Sequence, residues 1–220
     1  MKIWKTEAKI CLPFYKLASS LAFLVILAFI RPVVFAEEIG PAMESPVAFL
    51  AAALGADTWA GEITGGRTEI LRLSREKEKL RAVLRRYVIQ NLWLFGAALA
   101  GYGLFYWQRP ETLHSEPDGL GLFALYAAAI PVTLLFWSAF SVTVCTLVRS
   151  IWPGLALLLA VLVGLTSKAG EELLGNWNLF SYACRDLETG DIRWLYGKGV
   201  SLALTAALLL LLPRILRKRG

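Results

Sequence analysis

Residues 62–86 (EITGGRTEILRLSREKEKLRAVLRR) form a densely charged stretch between long apolar runs. They carry eight of the chain's 23 Lys and Arg residues. Each charge placed at the centre of a bilayer costs roughly 2.5 to 3.5 kcal/mol on insertion scales. The stretch therefore belongs in water at one face of a membrane, and it constrains how the flanking runs are threaded. A compact, basic, helix-prone loop between two spans predicts a docking surface for a soluble partner.

The flanking runs set the fold class. Of the 220 residues, 57% are hydrophobic, which argues against a soluble globular domain. Apolar runs predict six spans, near 17–36, 46–61, 88–107, 120–148, 152–167 and 194–213. A helical span takes about 20 mostly apolar residues, and by that measure the second and fifth are short. The fourth is long and contains Pro131, which predicts tilt or a kink. The expected fold is all-α: a polytopic membrane helix bundle, with residues 1–16 as an N-terminal interfacial helix and 17–220 as a single transmembrane domain. Six helices leave too little chain for a soluble catalytic domain.

The net charge of +6 is distributed by side. Lys2, Lys5, Lys9, Lys16, the eight basic residues of 62–86, Arg149, Arg214, Arg217, Lys218 and Arg219 make 17 on one side. Arg109, Lys168, Arg185 and Arg193 make four on the other, which also carries eleven acidic residues from Glu37 to Asp191. The positive-inside rule then predicts an integral plasma (inner) membrane protein with both termini and the 62–86 loop in the cytoplasm. The basic charge is topological, with attraction to anionic lipid, and does not point to nucleic acid.

Residues 1–16 place Lys2, Lys5, Lys9 and Lys16 on one helical face and Trp4, Ala8, Cys11 and Tyr15 on another, as suits a helix lying on the membrane surface. Pro13 is positioned to bend it into the first span. The lysines before an apolar core, and Val34-Phe35-Ala36 after it, imitate a secretory signal. Arg31-Pro32 interrupts the approach to that site, and the segment is expected to be retained as a span. The second span is built from small residues, and the third holds Gly96 with Ala100 and Ala97 with Gly101, spacings that allow close helix packing. Residues 168–193 form a long mixed segment expected to fold back on the membrane surface or partly re-enter. Cys11, Cys145 and Cys184 fall on one side, in a span and on the other side. They cannot pair with one another, and only Cys184 is placed for an intermolecular disulfide.

Absences narrow the function. The only histidine is His114, in a loop, so zinc hydrolysis with several His ligands is excluded and a Ser-His-Asp triad inside the membrane is disfavoured. Glu171-Glu172 resembles the paired glutamates of intramembrane abortive-infection proteases, but those need downstream histidines that this chain lacks. No phosphate-binding loop is present. No catalytic residue, metal or cofactor is expected, and ATP-driven work needs another polypeptide. Arg31, Asp57 and Lys198 lie toward span ends, where snorkelling makes them tolerable. No buried acid ladder of a proton-coupled carrier is visible.

The run from Ala56-Asp57-Thr58-Trp59-Ala60-Gly61-Glu62 through Gly66 to Thr68-Glu69-Ile70-Leu71 resembles the type-2 ABC export permeases. In that family a small-residue span ends in a Glu, followed by a Gly four positions on, a Thr, a Glu and paired aliphatics. Glu62, Gly66, Glu69 and Leu71 fit those offsets; Arg67 takes the usual Thr place, with Thr68 one step later. Asn178-Leu179-Phe180-Ser181-Tyr182 is similar to a loosely shared outer stretch of the family, without its Pro. The resemblance implies a permease subunit paired with a second permease subunit, the same or paralogous, and with ABC ATPase subunits. It also implies a coupling helix between spans two and three that touches the ATPase through Glu62, Gly66, Thr68, Glu69, Ile70, Leu71 and Leu73. A haem-exporter-type permease, and a membrane scaffold or assembly subunit with no transport activity, are the alternatives.

Overall fold

The computed structural model describes residues 2–31, 33–64, 76–108, 110–111, 119–185 and 192–219. These are helical almost throughout, and no named strand occurs among them. The helices are α1 (Lys2–Cys11), α2 (Phe14–Ile30), α3 (Ile39–Thr64), α4 (Glu76–Trp107), α5 (Gly119–Val148), α6 (Ile151–Thr166), α7 (Lys168–Leu174) and α8 (Trp194–Arg219). Short 3-10 turns at Ala36–Glu38 and Gly175–Trp177 complete the order.

Four helical stretches are long and apolar enough to cross a membrane: 36–62, 77–107, 119–148 and 194–218. Two further pairs reach that length only across a break. α1 meets α2 at 60°, and α6 meets the α7 segment at 68°. Among the described residues there are therefore four candidate spans, or up to six if each bent pair is one span. Pro13 makes the first bend. It caps α2 with φ −63° and ψ 157°, and its carbonyl accepts from the Lys16 N–H at 2.9 Å. Ser167 makes the second, its hydroxyl accepting the Gly170 N–H at 3.2 Å as the N-cap of α7.

The centre of the bundle is α3. It packs on α5, α4 and α6, and Ala48, Ala51, Ala56 and Ala60 are at most 1% exposed. Between helices in lipid there is no water-driven attraction, so small side chains that allow backbones to approach are what hold them. At Gly55 a Cβ would stand 3.1 Å from the Ser138 carbonyl oxygen. Nearby, the Ser141 hydroxyl donates to the Ala52 carbonyl at 2.5 Å. Aromatic rings fill the rest of the core: Tyr102 lies 4.8 Å from Tyr126, and Trp137 stacks on Phe180 at 5.5 Å.

Three sequence expectations shift. The apolar run predicts a second span at 46–61; α3 instead begins at Ile39 and carries Glu44 and Pro46 inside it. The third span was placed from residue 88; α4 runs unbroken from Glu76, so the last turns of the charged stretch continue the span. Lys198 was set at a span end within reach of water; it is 3% exposed. The fourth span does include Pro131, within an uninterrupted α5.

Candidate functional site: two polar centres at the ends of α3

Glu62 and Glu44 lie 18 positions apart on α3, about 27 Å at 1.5 Å per residue. A network of buried charge surrounds each.

At the Glu62 end, Arg86 of α4 is the hub. Its Nε donates to Glu7 Oε2 of α1 at 2.8 Å, and its Nη1 to Glu62 Oε1 at 2.8 Å and to the Thr58 carbonyl at 3.3 Å. Arg85 adds a looser contact to Glu7 Oε1 at 3.5 Å. One turn further into the bundle, Gln90 accepts from the Thr58 hydroxyl at 2.8 Å and donates to the Leu54 carbonyl at 3.2 Å. Lys16, at the α1–α2 bend, donates to Asp57 Oδ1 at 2.5 Å and to the Cys11 carbonyl at 3.2 Å. Lys16, Asp57, Glu62, Arg86 and Gln90 line a cavity of about 220 Å³. A fork-shaped guanidinium suits this hub, because it meets two carboxylates at once in fixed geometry.

At the Glu44 end, three helices and one connecting segment meet. Lys198 of α8 donates to Glu44 Oε1 of α3, to the Thr133 hydroxyl of α5 at 2.6 Å and to the Leu179 carbonyl at 3.2 Å. The Thr133 hydroxyl donates to Glu44 Oε1 at 2.9 Å, and the Ala183 N–H donates to Glu44 Oε2 at 2.6 Å. All three ammonium donors and both carboxylate oxygens are thus engaged, as burial of two ions requires.

Of the seven residues expected to form the coupling element, Glu62 falls in the first centre, 8% exposed and held by Arg86. Gly66, Thr68, Glu69, Ile70, Leu71 and Leu73 lie outside the described residues. Leu80 and Leu84, two further aliphatics of that stretch, are partly buried around Val83 and Trp59. Sequence reasoning missed Glu7, Lys16 and Arg86 as site residues, and Glu44 and Thr133 altogether. The available signal was at Lys198 alone, a charged residue one helical turn inside the apolar run 194–213. Among the described residues, no three His, Cys, Asp or Glu side chains come together to hold a metal.

Comparison with known family models, characterised proteins and solved structures returns no match for this chain.

Proposed function

We propose that the chain is the membrane-spanning permease subunit of an ATP-driven exporter, with ATP hydrolysed on a separate subunit that docks on residues 62–86. The observation that carries this reading is the Glu62–Arg86–Glu7 network. Glu62, in the last turn of α3, is the first residue of the stretch, and Arg86, on α4, is its last. The same guanidinium also holds α1. A force applied to the stretch is therefore delivered to three helices together, which is what a rigid-body switch between two packings needs. A loop with loose roots would dissipate it.

In this reading the 62–86 end faces the cytoplasm, together with both termini, in the plasma (inner) membrane. A second permease subunit covers part of the apolar surface that lipid does not. The chain itself contributes no catalytic step, cofactor or metal. The test is purification of the tagged chain from its native membrane, followed by assay of ATP hydrolysis in the purified complex. An ATPase subunit that co-purifies and hydrolyses ATP supports the reading. A chain that purifies without one, at a detergent concentration that preserves the bundle, contradicts it.

One observation favours a second reading, a non-transporting membrane scaffold. The Glu44–Lys198 centre is saturated with internal partners, as in a bundle built to hold one shape. The same purification separates the two, since a scaffold has no need of an ATPase.

A further inference from the structure

The segment 178–184 is irregular backbone seated among helices. Away from water, such backbone is tolerated only where protein satisfies its polar groups. Here its Leu179 carbonyl goes to Lys198 and its Ala183 N–H to Glu44. The Ser181 hydroxyl donates to the Trp194 carbonyl at 2.7 Å, and Asn178 donates to the Leu165 carbonyl at 2.9 Å. Asn178, Phe180 and Tyr182 are at most 1% exposed. Gly40 and Gly197 make room for it: a Cβ at Gly40 would collide with the Tyr182 hydroxyl, and one at Gly197 with the Asn178 carbonyl and Ser181. Two of the segment's main-chain bonds to the helices thus end on the two halves of one ion pair.

A second observation lies directly beneath. Trp137 is 0% exposed and stacked on Phe180, yet its Nε1 has no hydrogen-bond partner among the described residues. A buried donor left unmet disfavours the packing that buries it. The seated segment therefore works against a polar group that hydration would satisfy.

We propose that residues 178–184 are a strap that closes this end of the bundle, and that the Glu44–Lys198 pair is its catch. With the catch made, the strap seals α3, α5 and α8 against one another. With either charge removed, the strap lifts and water reaches Thr133 and Trp137. Both ions are needed, because each holds the strap's backbone by one bond and is itself held by the other. The inference does not depend on an ATPase partner.

The test uses the full chain in lipid nanodiscs, which leave both membrane faces open to reagent. Ser181→Cys is introduced with Cys184→Ser, and maleimide labelling is followed against the Cys184→Ser parent, which reports the background from Cys11 and Cys145. With the catch intact, the thiol at position 181 reacts slowly relative to the same protein unfolded in detergent. Glu44→Gln should raise the rate by about tenfold or more, since a buried charge left without its partner disfavours the closed packing. The exchanged pair Glu44→Lys with Lys198→Glu should stay fast, because it restores the two charges but sets a carboxylate against the Leu179 carbonyl and an ammonium against the Ala183 N–H. A labelling rate in Glu44→Gln equal to that with the catch intact overturns the proposal, as does fast labelling with the catch intact. Should Glu44→Gln not yield a monodisperse protein, Thr133→Val carries the test: a rise of roughly threefold supports the strap, and an unchanged rate overturns it.

Discussion

Arg86 Nη1 stands 2.8 Å from Glu62 Oε1, across 24 residues of sequence. The charged stretch between them therefore springs from two helices tied at their roots. Both side chains are at most 10% exposed. The pair consequently behaves as a buried one, in which the loss of a single partner is costly.

Arg86→Met removes the hub, leaving Glu62 without the Arg86 guanidinium and Glu7 with only its looser contact to Arg85. Breaking a buried pair costs about 3 to 5 kcal/mol, or on the order of 10 °C in Tm for a chain of this size. Glu62→Gln leaves Arg86 its second carboxylate, Glu7, and should cost less than half as much. Thermal unfolding of the purified protein in one detergent checks both. Equal losses, or none, would show that the network does not hold the roots together.

Packing gives a second contrast, along the helix interfaces. Gly55→Ala forces a methyl to within 3.1 Å of the Ser138 backbone and should cost about 1 to 3 kcal/mol. Gly103→Ala, where a Cβ meets nothing within 4 Å, should be neutral or stabilise by a few tenths to about 1 kcal/mol. The same unfolding assay reads both. Similar losses at the two positions would contradict the close approach of α3 and α5.

Cys184 ends the strap with its side chain exposed, and its thiol pKa is pushed up to about 11, first by the protein that covers part of its surroundings and then by the carboxylates of Glu171 and Glu44. Only the thiolate attacks, so at pH 8 about one thiol in a thousand is reactive. Alkylation of Cys184 should speed up by about tenfold per pH unit from pH 7 to pH 10, and Glu171→Gln should make it faster at pH 8. A rate that levels off below pH 9 would contradict the assignment. A slow thiol also works against the intermolecular disulfide for which this cysteine is placed.

Helical architecture was legible in the sequence because apolar runs and proline positions are local signals. Four of the helices fall close to where those runs place them, and the long fourth span with Pro131 is one unbroken α5. The polar centres were not legible, because their partners are remote. Glu44 meets Lys198 across 154 residues, and Arg86 meets Glu7 across 79. Read locally, Glu44 is an acidic loop residue beside Pro41 and Pro46, and Lys16 is one more lysine on a basic face. Only the tertiary pairing that neutralises each charge lets it lie inside the bundle. Glu62 was singled out through the permease resemblance as a coupling residue, a role apart from the Arg86 contact seen here, and Arg86 was read as a loop charge.

Orientation has its own test. The 17-to-4 division of basic residues predicts that position 74 faces the cytoplasm and position 115 the other side. In intact cells an impermeant maleimide should label Ser115→Cys and spare Ser74→Cys. The reverse pattern would invert the topology and remove the docking surface from the ATP-containing side.

The central claim is that residues 62–86 couple the bundle to an ATPase, and Leu71→Asp tests it most directly. A docking helix buries aliphatic anchors in its partner and leaves charges at the rim, where truncation mainly alters encounter rate. The account predicts that Leu71→Asp abolishes ATPase co-purification and substrate-stimulated hydrolysis while the chain still inserts, and that Lys77→Glu does much less. If Leu71→Asp leaves the complex and its hydrolysis unchanged, this stretch is not the coupling element, and the scaffold reading takes its place.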